Sequence, residues 1–324
     1  MMTAWKTSTN LPLLHKGGSS LHRRASDGGL SMLFNRCCAP KSLPRSLWVA
    51  AAAQAAQINP LNHAPVEHLT KVFPGFAPNA EHIAVVTTKY WRTNGVRLTV
   101  GFLDNPPADL RAKILSNMNS WAESTNVVFT ESNDAPKVRI ARTDGDGYWS
   151  YLGTDILSIP AGQPTMNLEG FTMDTADSEF HRVVRHETGH TLGCPHEHMR
   201  RELVDRIDPQ KAIDYFASTQ GWSEQETRQQ VLTPLEESSL WGTPRADASS
   251  IMCYQIPGSI TKDGQPILGG TDIDSTDFSF MAKVYPRPSL DAVPPAVGAV
   301  AMASVAQLQA DNEVLKKAIG VLAR

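Results

Sequence analysis

Cysteine is scarce in this chain. Cys37, Cys38, Cys194 and Cys253 are all it has in 324 residues. Cys37 and Cys38 are adjacent and stand outside the expected core. The four therefore make no disulfide framework of the kind that holds small secreted folds, and cysteine usage gives no argument for secretion. Cys194 and Cys253 read as small buried apolar residues, with a bridge between them as the lesser alternative. Long apolar runs are lacking too. None approaches the roughly 18 residues that span a bilayer, so no integral membrane segment is expected. Nor does charge of one sign dominate: 30 Lys and Arg stand against 33 Asp and Glu, for a net charge of −3. That balance makes no case for nucleic acid or for a basic membrane-binding patch.

What is present is concentrated between His186 and His198, where the chain reads HETGHTLGCPHEH. His186, Glu187 and His190 form H-E-x-x-H, and Gly193 and His196 extend it to H-E-x-x-H-x-x-G-x-x-H. A helix from about Glu179 puts His186 and His190 one turn apart on one face, where two imidazoles can reach one ion. Glu187 points off that row and can hold a water against the ion. A helix cannot bring a third ligand round beyond Leu192, so the chain must turn. Gly193 permits the positive φ that such a turn needs, and Pro195 blocks any return to helix. His196 then comes back towards the ion. Three neutral imidazoles leave a fourth position open on a tetrahedral zinc, the arrangement of a catalytic rather than a closed structural site. A lone histidine is more often a surface or satisfied core residue, and H-E-x-x-H alone arises by chance, but the full string is far more demanding. His181 and His198 lie off the ligand spacing and read as solvated helix or loop residues.

The rest of the chain divides by composition. Residues 1–45 hold seven Lys or Arg against one acid, Asp27, and read as disordered or targeting sequence. Residues 47–56, LWVAAAAQAA, suit the apolar part of a signal peptide. A mitochondrial transit segment or a floppy leader fits as well, and the compartment stays open. Residues 58–90 read as a pro-segment or lead-in whose prolines break regular structure. The folded domain is expected to start near Thr88. Strands are predicted over 96–103, 127–130, 137–142 and 165–171, and helices over 108–124, 209–217, 223–232 and 275–284. The DGDG run at 144–147 reads as a turn, in preference to a calcium loop. After Pro294 and Pro295, Val305, Leu308, Asn312, Leu315, Ile319 and Leu322 are spaced 3-4-3-4-3. Such a helix either self-associates weakly as a parallel pair or packs on its own domain. The chain thus divides into a leader (1–87), a catalytic domain (88–288) and a tail (289–324).

A second motif, SIMCY, lies at 250–254. The long histidine string is that of the metzincin zinc peptidases, in which a methionine turn passes beneath the metal. Glu197 after the third histidine, Tyr254 two residues after Met252, the GYWSYLG run at 147–153 and WRTNGVRLTV at 91–100 together resemble the astacin-like zinc peptidases, over roughly residues 88–287. The resemblance implies an α+β metzincin fold: a twisted, mostly parallel sheet with an antiparallel edge strand, two long helices and a smaller irregular C-terminal subdomain. It implies one zinc per chain on His186, His190 and His196, Glu187 as general base, Met252 as the turn residue and Tyr254 as a mobile fifth ligand serving the oxyanion. Glu197 would lie in the buried lower part of the site. The implied activity is hydrolysis of internal bonds in a protein or peptide, which would pair as an extra strand along 165–171. Departures are the missing family disulfides, Cys253 where histidine is common, and Cys194 where an aromatic is usual. No aspartate-switch motif precedes the domain, which argues against latency held by a pro-segment. A non-catalytic zinc-containing binding module is the alternative function, although Glu187 and Tyr254 are both retained. A zinc amidase acting on non-protein substrates is a third.

Overall fold

The computed structural model describes residues 38, 41–72, 79–80, 84, 87–235 and 245–288. The heptad-like tail falls outside the described residues, as do Cys37 and most of residues 1–45. Among the described residues, five strands form one sheet: β1 (Val96–Phe102), β2 (Val127–Glu131), β3 (Val138–Ala141), β4 (Tyr148–Ser150) and β5 (Met166–Leu168), in the order β2-β1-β3-β5-β4. All neighbours run parallel except β4, which pairs antiparallel with β5. This is the α+β architecture, with its antiparallel edge strand, that the resemblance implied.

Burial explains the strands. In β1, Val96, Leu98 and Val100 point inward, while Arg97 is exposed between them. In β2, Val127 and Phe129 do the same, with Val128 facing solvent. Every residue of β3 is buried, as expected of a central strand covered on both faces. Arg139 on β3 is tolerated there because its guanidinium donates to Gln163 O at 2.6 Å and Ile159 O at 3.1 Å. The strand predicted over 165–171 is shorter, because Gly170 turns the chain at positive φ.

Helix α3 (Ala108–Met118) continues as a tighter turn through Asn119–Glu123. Leu110, Ile114, Met118 and Trp121 all point into the core, and each such fully buried side chain stabilises the fold by about 1.5–3 kcal/mol. Helix α4 begins at Asp177, widens into π turns over Phe180–Arg185 and returns to α geometry over His186–Thr191. Phe180, Val183 and Val184 bury its inner face. The indole of Trp121 donates to Arg185 O at 2.9 Å, satisfying a carbonyl in the widened stretch. A second apolar cluster gathers around α5 (Pro209–Gln220), with Phe216, Val231, Ile256 and Ile260. Asp208 caps α5 by accepting from the Gln210 and Lys211 amides, and Gly221 ends it at φ 70°. The last described helix, α6, is Ser275–Val284.

The segment before Thr88 departs from expectation. Most of residues 47–56 belong to a helix, α1 (Trp48–Ile58), with Ala51, Ala52 and Ala55 buried. A second helix, α2 (Ala64–Val72), follows within the stretch read as broken by proline. Alanine is the best helix former, and its small side chain lets α1 approach closely. Two buried asparagines then satisfy backbone that the lead-in would otherwise strand. Asn59 donates to Trp91 O at 2.7 Å. Asn62 donates to Tyr90 O and accepts from the Tyr90 amide, both at 2.8 Å.

The lead-in threads a tight gap. Lys89 O accepts from the Thr154 amide at 2.9 Å. A Cβ on Gly153, whose φ is 47°, would lie 1.9 Å from that carbonyl oxygen. Gly170 also has positive φ, but a Cβ there would meet nothing within 4 Å. Gly153→Ala is therefore expected to cost on the order of 3 kcal/mol in urea denaturation, and Gly170→Ala about 1 kcal/mol. Equal losses would show that the 87–91 thread does not constrain Gly153.

Candidate metal centre

The site is built on the end of α4. His186 and His190, four residues apart, present their rings to His196, which follows the turn at Gly193. Gly193 has φ 101°, and the helix closes through Leu192 N–H to Thr188 O at 2.9 Å and Cys194 N–H to Gly189 O at 3.0 Å. The Nε2 atoms of His186 and His190 lie 3.2 and 3.0 Å from Nε2 of His196. Outer nitrogens decide which tautomers are present. His186 Nδ1 is 2.6 Å from Ile251 O, and His190 Nδ1 is 2.8 Å from Cys194 O. Carbonyl oxygens only accept, so both Nδ1 atoms carry hydrogen and both Nε2 atoms present bare lone pairs. Burial pushes the His186 imidazole down to about 4 and those of His190 and His196 well below the usual range, so all three are neutral at pH 7. Neutral imidazoles with converging lone pairs fit a cation.

The second motif supplies the floor. A Cβ on Gly189 would lie 2.4 Å from Met252 Sδ, so glycine in the helix is what lets the methionine turn close beneath it. The turn is tied to α6. Asp277 accepts from Ser250 Oγ at 2.6 Å and from the Ile251 amide at 3.0 Å. Asp274 caps the same helix by accepting from the Thr276 and Asp277 amides. Helix α6 thus fixes Asp277, Asp277 fixes the Ile251 peptide, and the Ile251 carbonyl orients His186.

Glu187 is fully buried, and apart from the Cys38 thiol its carboxylate meets no hydrogen-bond donor. Burial pushes its carboxyl up to about 8; the nearby Cys38 thiol favours the ionised form weakly. Tyr254 is buried, its ring 4.2 Å from that of His196. His198 is not the solvated residue expected. It is fully buried, stacks on Tyr254 at 4.1 Å and lies with Nε2 2.9 Å from Gln230 O. Its off-ligand spacing hid this role, because the stacking partner arrives from the second motif. Glu197, at the lower side, accepts from the Asp247 amide at 3.0 Å and is raised by burial to about 7. Cys194 and Cys253 form no bridge and fall in different apolar clusters.

Two further findings correct the sequence reading. The strand expected to receive a peptide, β5, is paired on both sides, by β3 and β4, so it offers no edge. The edge is β4. Its outer side carries single parallel bridges to the leader, Cys38 to Tyr148 and Lys41 to Tyr151. Cys38, expected outside the core, is buried, and its sulfur lies with one ring nitrogen each of His186, His190 and His196 in a set whose members are all within 4.8 Å of one another. A cysteine ahead of a three-histidine site was the signal available for it.

Residues 85–262 match the Astacin family of peptidases. The chain is 32% identical over 135 residues to zinc metalloproteinase nas-27 of Caenorhabditis elegans, covering 41% of this chain and 28% of that protein's length. Among solved structures it is similar to myroilysin, with 33% identity, a TM-score of 0.59, and coverage of 63% of this chain and 99% of that one.

Asp277→Ala removes the acceptor that holds the Ile251 peptide. It is expected to weaken divalent-metal binding by about 10- to 100-fold with all three histidines intact. Competition with a chromophoric chelator measures this; unchanged affinity would show that the turn keeps its place without α6.

Proposed function

The chain belongs to the astacin family of zinc metallopeptidases, and we propose that residues 88–288 form an endopeptidase domain with one zinc held by His186, His190 and His196. The convergence of the bare Nε2 atoms of His186 and His190 on the buried His196 Nε2, at 3.2 and 3.0 Å, carries this reading, because a cation among them would take up their lone pairs. Bound there, zinc supplies a Lewis acid that lowers the pKa of a water towards about 7 and polarises a carbonyl oxygen.

Glu187 is the general base. It follows His186 directly and is walled from solvent, so its carboxylate takes a proton from the attacking water and later delivers it to the leaving amine. The divalent charge among the histidines offsets the desolvation that raises Glu187. Tyr254 donates its phenolic hydrogen to the substrate oxygen as negative charge develops there. His198, stacked on the Tyr254 ring, holds Tyr254 in line with the site. An extended protein or peptide substrate pairs with the outer side of β4, where main-chain hydrogen bonds give affinity and side-chain pockets give preference. No covalent intermediate with the chain is needed.

The direct test is metal content with chelator-sensitive cleavage of casein by the protein freed of its leader. One zinc per chain with cleavage abolished by chelation is expected; cleavage that survives zinc loss would overturn the proposal. Glu187→Gln should lower kcat by about 10²- to 10⁴-fold while keeping the zinc. Tyr254→Phe should lower kcat by roughly 10- to 100-fold with KM and zinc content little changed. Near-normal turnover in either variant would remove that residue from the mechanism.

A further inference from the structure

We propose that Asp155 belongs to a substrate pocket beside the metal centre and selects a lysine or arginine side chain near the cleaved bond. This rests on the peptidase reading above and narrows it to a substrate class. A cavity of about 330 Å³ is lined by His190 and His196 of the metal centre and also by Leu152 and Asp155. Leu152 and Asp155 follow closely on the edge strand β4, which ends at Ser150. A peptide laid on the outer side of β4, with its cleaved bond at the histidines, therefore passes beside the cavity and can drop one side chain into it.

The acid is fixed and lacks a partner. Its turn is pinned by the Thr154 amide, which donates to Lys89 O at 2.9 Å, and by its own amide, which donates to Leu152 O at 3.0 Å. Ile156, next in the chain, is buried and anchors the turn. Oδ1 of Asp155 is closed off from solvent and meets no hydrogen-bond donor. A carboxylate oxygen buried in that way is costly. Burial raises the carboxyl to about 6, with the Lys89 charge pulling the other way. Lys89 and Lys41 also line the cavity, but each ammonium is engaged elsewhere. Lys89 donates to Thr87 O at 2.9 Å and to Ala84 O at 3.3 Å, and Lys41 pairs with Asp146 at 3.1 Å. Asp155 is thus left for a cation that the substrate brings.

The walls suit the rest of such a side chain. Leu152, Pro195 and Met199 supply apolar surface from the domain, and Leu43 and Trp48 supply it from the leader. Lysine and arginine carry an apolar stem ahead of the charge, so the stem packs on these walls while the charged end meets the carboxylate. Norleucine would fill the same walls and leave the acid unpaired. Glutamate would set a second negative charge against it.

The test starts from the full-length zinc-loaded protein, treated with chymotrypsin until casein cleavage is constant and then with a serine-protease inhibitor. Quenched-fluorescence peptides carry lysine, arginine, norleucine or glutamate in turn at each position around the cleaved bond. At one position, lysine and arginine are expected to raise kcat/KM over norleucine by about 10- to 100-fold, the effect of one charge-assisted hydrogen bond to a buried acid. Asp155→Asn should bring that ratio down to about 3-fold or less, while Asp155→Glu, which keeps the charge, should retain a preference. Butylguanidinium should inhibit the wild-type protein at least about 10-fold more strongly than butanol, a reading that holds even where Asp155→Asn fails to fold. Equal rates for the four side chains at every position, a preference that survives Asp155→Asn, or equal inhibition by the two probes would overturn the Asp155 proposal and leave the peptidase reading standing. Absence of cleavage of casein and of every peptide would overturn both.

Discussion

The bare Nε2 lone pairs of His186 and His190 are held 3.2 and 3.0 Å from the Nε2 of His196, a crowding of polar atoms away from water that is costly unless something sits among them. The fold is organised to enforce it. Two of the rings are turned by backbone carbonyls, Ile251 O for His186 and Cys194 O for His190. The first carbonyl comes from the methionine turn and the second from the turn that ends the helix, so neither ring is oriented by the helix that carries it. That division of labour explains why distant features matter to the centre. Gly189 lets the turn approach, Asp277 holds it, and the capping of α6 holds Asp277.

The helix end is locked from a second direction. Tyr285 donates its hydroxyl hydrogen to Leu192 O at 2.6 Å and accepts from the Trp91 amide at 2.9 Å. The Trp91 indole donates to Thr191 O at 2.8 Å. The last carbonyls of α4, which a helix cannot satisfy itself, are thus taken by residues from the two ends of the domain. The chain segments just before β1 and just after α6 meet at the point where the turn to His196 begins.

The same economy bears on the leader. A basic, alanine-containing stretch resembles a targeting segment by composition, yet α1 packs through its alanines and two asparagine side chains replace the pairing that the lead-in lacks. Composition registers charge and average hydropathy. It does not register that a short run of small side chains can fit closely against the turn over Gly153–Ser158. His198 shows a related limit: position along a helix decides whether a histidine can share a ligand row, but not whether an aromatic ring from elsewhere will cover it.

Residue type and local spacing by themselves brought out the three-histidine string, the glutamate beside His186, the glycine turn and most strands and helices of residues 96–284, because helical period, strand alternation and positive φ are short-range properties. Tertiary structure alone decided that β4 and not β5 is the edge, that Asp277 governs the orientation of His186, and that Cys38 sits among the histidines. Each of these depends on which distant segments pair after the chain closes on itself, and a periodicity of about two or 3.6 residues carries no information about that partner.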